Sequence, residues 1–175
     1  MLRAYLKEEK GDDRDFQIAM IDEAIFNFHR YFFSMPTLAR LEYEVCTRVH
    51  DGKPVTLQDL KTLMKDYFAE GYGDTMTDDP DRTAITWAQY VHLYYPFYTF
   101  QYAVGISAAS ALSNGVLAGK NDAVENYLNF LKSGGSMYTM DLFKLAGVDM
   151  ASPEPVKAAF KVLADMVDQL DALAT

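Results

Sequence analysis

Between Arg82 and Lys120 the chain carries no Asp, Glu, Lys or Arg, a gap of 37 consecutive residues in a protein that is 23% charged. At that composition such a stretch should hold about eight charges, so the gap is not chance. Inside it, Thr86 to Gly105 reads TWAQYVHLYYPFYTFQYAVG and holds five of the 12 tyrosines, the single tryptophan and one of three histidines. An uncharged segment is expected to leave bulk water, yet this one keeps hydroxyl, imidazole and amide groups. Such groups must be hydrogen-bonded within the protein or turned toward a cavity where something binds.

A membrane span is not the explanation. Gln89, His92, Pro96, Gln101, Ser107, Ser110, Ser113 and Asn114 interrupt the stretch, and no run of about 18 residues is cleanly apolar. Its second half is rich in Gly105, Ser107, Ala108, Ala109, Ala111 and Gly115, small residues that let helices approach closely. A central buried helix packed by neighbours is the expectation.

Composition excludes further classes. A chain of 175 residues suits one domain, 1–175, able to bury about 70% of the surface its unfolded form exposes. Half of its residues are hydrophobic and 14% aromatic, a globular balance. The net charge of −9 argues against nucleic acid as a partner, because phosphates need a basic footprint. The lone Cys46 cannot form an internal disulfide, and Met1 to Lys10 has no apolar core of a signal peptide, so a cytoplasmic location is expected.

Helical period and punctuation run through almost every segment. Phe16 to Val49 is a long amphipathic stretch that Ser34-Met35-Pro36 either kinks or restarts. Thr56 is placed to N-cap the next helix, with Asp59 reaching back from the third position and Val55 stapling onto Leu60. Leu63, Met64, Tyr67 and Phe68 continue it. Gly71 to Asp74 and Asp78 to Asp81 read as a polar, breaker-rich loop. Asn121 or Asp122 caps a helix through Leu131 that Gly134-Gly135 stops, and a short helix from Tyr138 to Leu145 ends at Gly147. Ser152-Pro153-Glu154 starts the last helix, with Ser at the N-cap and Pro at the first position. Along that helix Val156, Phe160, Leu163, Val167 and Leu170 share one face. No period-2 pattern and no internal repeat occurs, so the class is all-α, a multi-helix array around the central uncharged helix.

The chemistry that is missing narrows the options. His29, His50 and His92 are too far apart for an H-E-x-x-H pair, no Cys cluster exists, and no glycine-rich loop resembles a phosphate or dinucleotide cradle. Cys46, on a helix beside acidic residues, reads as a buried inert thiol and not as a nucleophile. His29 reads as a hydrogen-bonded partner at a helix interface. On a helix His92, Tyr95, Thr99 and Tyr102 would share one face, with Tyr98 near its edge, although Pro96 perturbs the alignment. Such a set of donors can hold a developing oxyanion. It can equally be an aromatic core whose hydroxyls find backbone carbonyls, and residue chemistry alone leans to the core.

Five blocks carry a resemblance to a known family, in family order: Phe28 to Arg40 (FHRYFFSMPTLAR), Trp87-Ala88-Gln89 leading to His92-Leu93-Tyr94, Phe100 to Ala109 (FQYAVGISAA), Phe130 to Ser136 (FLKSGGS), and Leu145 to Met150 (LAGVDM). The chain resembles the C-terminal part of the oligoendopeptidase F branch of the thimet-type zinc metallopeptidases, over nearly its whole length. The resemblance implies an all-α peptidase acting on short peptides. Its zinc is held by two histidines of an H-E-x-x-H helix and a glutamate on the next helix, all upstream of the matching segment. Met1 would fall just after the third ligand. No zinc is therefore expected in this chain, and the missing N-terminal catalytic segment becomes an expected partner. What the segment would supply is the wall of the cleft opposite the metal. By resemblance His92, Tyr98 and Tyr102 take the catalytic, oxyanion-stabilising roles, and Tyr94 and Tyr95 contact substrate. Phe100 stands where many members carry tyrosine. The alternative is a stand-alone helical module that binds peptides or a protein without catalysis. Either way an aromatic face left uncovered favours self-association.

Overall fold

The computed structural model describes residues 1–174, whose regular secondary structure is helical, with no strand among them. The helices are α1 (Leu2–Glu9), α2 (Arg14–Phe28), α3 (Met35–His50), α4 (Leu57–Tyr72), α5 (Pro80–Thr83), α6 (Gln101–Leu117), α7 (Ala123–Ser133), α8 (Thr139–Leu145) and α9 (Glu154–Ala174). Two compact units result, Met1–Phe28 with Val104–Thr175, and His29–Ala103. That is a finer division than one unit over 1–175.

The His29–Ala103 unit is built on α3 and α4, which pack against each other. Met35, Leu38, Leu41, Met64 and Phe68 form its buried core. Leading into α3, His29–Ser34 is a π-helical segment and Pro36 lies at the start of the helix. Proline has no N–H and its ring crowds the carbonyl four residues back, so the wider π turn lets the chain pass this point in helical conformation. The start of α4 follows the local signal. Thr56 Oγ1 accepts from the Asp59 amide at 3.2 Å, and the Asp59 carboxylate accepts from the Thr56 amide at 2.8 Å. These Thr56 donors, hydroxyl first and amide second, hold the Asp59 carboxyl below its ordinary range.

Arg40 of α3 reaches α4, where it pairs with both Glu70 oxygens and lies 3.9 Å from the centre of the Tyr67 ring. Part of the expected polar loop is helical: Asp79 accepts from the Arg82 amide and Pro80 occupies the first turn of α5. His29 takes the role read from the sequence, with Nε2 3.2 Å from the Tyr72 hydroxyl and the two rings stacked. Cys46 does not: it is exposed on α3, because the apolar stripe of that helix runs through Met35, Leu38 and Leu41.

In the other unit α2 packs along α9, and each helix buries an alanine at the centre of its apolar side, Ala24 and Ala159. Small side chains allow the close approach. Arg14 donates to the Leu173 carbonyl at 2.7 Å, satisfying an orphan acceptor at the end of α9. The face expected along α9 is displaced. Pro155 and Ala159 are buried, whereas Val156, Phe160 and Val167 are exposed. The helix is apolar around much of its circumference, and the smaller side chains won the packed side. Ser152 Oγ donates to the Asp149 carbonyl and α9 begins at Glu154.

Between them, α7 and α8 form a hairpin in which Phe130 and Phe143 stack at 6.3 Å, closed by Gly134 and Gly147 at positive φ. Ser107, Ala108 and Gly115 of α6 are buried, as the small-residue pattern requires, but a Cβ at Gly105 would meet open space. No helix of the described residues is long and apolar enough to cross a membrane.

Candidate functional site

The tract from Thr86 to Phe100 is not an α-helix. Two 3₁₀ turns, Thr86–Gln89 and Val91–Tyr94, give way to a turn at Tyr95–Tyr98, and regular helix resumes only at Gln101. Pro96 is the cause. It disfavours helical geometry in the preceding residue, and Tyr95 is extended at φ −110, ψ 105. The helical face expected for His92, Tyr95, Thr99 and Tyr102 therefore does not form.

The turn assembles most of the same residues by another route, with Tyr98 at the centre and not at the edge. The His92 and Tyr98 rings stack at 5.8 Å with 19° between planes. Tyr102, in the first turn of α6, stands edge-on to both, at 5.8 Å from His92 and 5.6 Å from Tyr98. Tyr95 meets only the rim of the cluster, 6.5 Å from Tyr98, and is 64% exposed. Tyr94, 74% exposed, makes no ring contact with the cluster. Thr99 is fully buried, with an unpartnered hydroxyl, and leaves the group.

Burial does not follow the absence of charge. Val91, Tyr94, Tyr95, Phe97, Tyr98 and Phe100 are all exposed, so this half of the tract is no aromatic core. His92 is half-buried and its Nδ1, out of reach of solvent, has no hydrogen-bond partner. Trp87 Nε1 is likewise orphaned. An unpaired buried donor or acceptor costs about 1–3 kcal/mol, which a bound water or ligand recovers.

The Tyr102 phenol is held above its ordinary pKa of 10.0, first by its hydrogen bond with the Tyr98 hydroxyl and then by burial. Of the two phenols Tyr98 is the more exposed. Behind Tyr102, Tyr31 stacks at 5.3 Å, and the Arg30 guanidinium lies 5.4 Å from the centre of the Tyr31 ring. Arg30 opposes the rise in the Tyr102 pKa, a small positive bias on the cluster.

Tyr31 and Arg30 were not among the residues read as a site. Their only signal was membership of the Phe28–Arg40 block. Nothing in the sequence pointed to Glu42, whose carboxylate accepts from the Phe97 amide at 2.6 Å across 55 positions.

No group of three or more His, Cys, Asp or Glu able to hold a metal occurs among the described residues. The neighbours of His92 are phenols, which do not complete a zinc donor set.

Comparison with known proteins places the chain as a whole. Oligopeptidase PepF of Bacillus subtilis (strain 168) is 34% identical over 173 residues, which is 99% of this chain and 26% of that protein. The chromosomal oligoendopeptidase F of Lactococcus lactis subsp. cremoris is 31% identical over 173 residues, again 99% of this chain and 28% of that protein. The crystal structure of oligoendopeptidase-F from Enterococcus faecium superposes with a TM-score of 0.92 at 31% identity, over 99% of this chain and 33% of that one. The chain thus spans roughly a quarter to a third of the length of the relatives it matches. The profile of Peptidase family M3, a family that is zinc-dependent in general, matches residues 2–162. The chain belongs to peptidase family M3.

Proposed function

We propose that this chain is the substrate-binding and oxyanion-stabilising wall of a metallopeptidase cleft that cleaves short peptides. The observation that carries the reading is the His92–Tyr98–Tyr102 cluster, three rings within 6 Å of one another, open to solvent on one side and holding unspent hydrogen-bonding capacity. Tyr98 and Tyr102 share a hydrogen bond, and Tyr98 is the more exposed of the two. Tyr98 is then the leading phenol, and it and His92 donate to the charge that develops on the scissile carbonyl oxygen. Tyr95 and Tyr94, outside the cluster and exposed, contact the peptide on either side. The zinc of the family belongs with ligands outside residues 1–174, in the upstream segment that the resemblance implies. Alone, the chain is then inactive and binds no stoichiometric zinc. The same exposed aromatics favour a second reading, a helical module that binds peptides without cleaving them.

A chimera separates the two. The matching third of the Enterococcus faecium protein is replaced by this chain, and oligopeptide cleavage is measured with and without His92→Ala. Chelator-sensitive turnover that falls about 10²–10³-fold in kcat, with KM little changed, is the expected result. Near-normal turnover in His92→Ala, or a loss that only tracks melting temperature, removes the proposed role.

A further inference from the structure

The turn that delivers Tyr98 to His92 is made by an improbable residue. Tyr95–Tyr98 has Pro96 in second place and Phe97 in third, and Phe97 adopts φ +53. A turn that opens with proline and needs a positive φ next ordinarily takes glycine there, because a Cβ crowds the following carbonyl. Phe97 is bulky and half exposed, so its own packing does not explain the conformation. What holds it is the Glu42 carboxylate, which projects from the middle of α3 and accepts the Phe97 amide proton at 2.6 Å. Glu42 appears in none of the ion pairs of the described residues, which leaves this backbone amide as its evident partner. A charge-assisted bond to backbone is short and directional, and here it opposes the tendency of a non-glycine residue to leave the left-handed region.

Resting on the peptidase reading above, we propose that Glu42 is a positioning residue for the tyrosine loop. Its carboxylate clamps the Phe97 amide, and the clamped turn sets Tyr98 in stacking distance of His92 and within hydrogen-bond reach of Tyr102. Glu42 acts through one backbone bond, and α3, packed into the core through Leu38 and Leu41 in the turn before it, supplies the rigid base.

The clamp is tested on this chain and the positioning role on the chimera. In the chain, amide exchange at Phe97 should be slowed in the parent, about tenfold or more faster in Glu42→Ala, and largely restored in Glu42→Gln, whose amide oxygen still accepts. In the chimera, Glu42→Ala should lower kcat about tenfold to a hundredfold with melting temperature nearly unchanged, Glu42→Gln should recover most of it, and Phe97→Gly placed in the Glu42→Ala background should recover part, because glycine adopts the turn unaided. An unprotected Phe97 amide in the parent overturns the clamp. Glu42→Ala with parental kcat while His92→Ala is impaired overturns the positioning role alone. His92→Ala with parental kcat overturns the functional reading, and this proposal falls with it.

Discussion

The hydrogen bond within the phenol pair makes a prediction that a merely aromatic patch does not. Under the proposed function the two hydroxyls act in series: Tyr98, the more exposed, meets the substrate, and Tyr102 supports it through the hydrogen bond they share. Tyr98→Phe removes the terminal donor. Loss of one such donor costs about 3 kcal/mol, or roughly 10²-fold in kcat. Tyr102→Phe removes one neutral hydrogen bond behind it, worth about 0.5–1.5 kcal/mol, or roughly two- to tenfold. Once Tyr98 is phenylalanine, Tyr102 has no hydroxyl left to support, so the double variant should match Tyr98→Phe and not the product of the single losses. Both changes keep the ring, and Tyr98 is 40% exposed, so thermal stability should move by no more than the worth of the shared hydrogen bond, about 0.5–1.5 kcal/mol. The assay is kcat and KM for a short peptide in the chimera, with melting curves alongside. Spectroscopy supplies a control independent of turnover. With ¹³C-labelled tyrosine in this chain, Tyr102 should titrate above the ordinary phenol range, and Tyr98→Phe should bring it down, since the Tyr98 hydroxyl is the first cause of the rise. A larger kcat loss in Tyr102→Phe than in Tyr98→Phe, or losses that multiply in the double variant, would refute the series.

Three further outcomes follow from the packing and charges. Leu38 is fully buried among Met35, Leu41, Met64 and Phe68, so Leu38→Ala should cost about 2–5 kcal/mol in urea unfolding, against about 0.5 kcal/mol or less for the exposed Tyr43→Ala; equal costs would mean the core is misplaced. The Arg40 hydrogen bond holds the Glu70 carboxyl below its ordinary value of 4.5, so the pair's contribution is present above that value and is lost as pH falls through the lower, folded one. Melting curves of the parent and Glu70→Gln should therefore differ most near neutral pH and converge in acid; a gap that widens on acidification contradicts the pairing. Val91, Tyr94, Tyr95, Phe97 and Phe100 form an exposed aromatic and aliphatic surface, so the chain should sediment as a concentration-dependent associating species, and serine at Tyr94, Phe97 and Phe100 should restore the monomer. A monomer at all concentrations in the parent would show that this face does not drive association.

Local signals in the chain were enough for the class and for most helix ends. Thr56 and Asp59 cap α4 because their atoms lie within one turn of each other whatever the rest of the molecule does. Gly134 and Gly147 stop helices for the same short-range reason, and the family blocks mark out the tyrosine tract in the sequence itself. Tertiary structure decided what periodicity could not. Two apolar faces compete on α9, and the face that packs is the one whose alanine permits close approach, a matter of the partner's shape. Cys46 is exposed because the core stripe of α3 passes elsewhere. The tyrosines gather through a proline turn and not along a helix, and the charge that holds the turn comes from 55 residues upstream. A contact of that kind leaves no trace in local spacing, because the two ends become neighbours only when α3 and the loop pack within one unit.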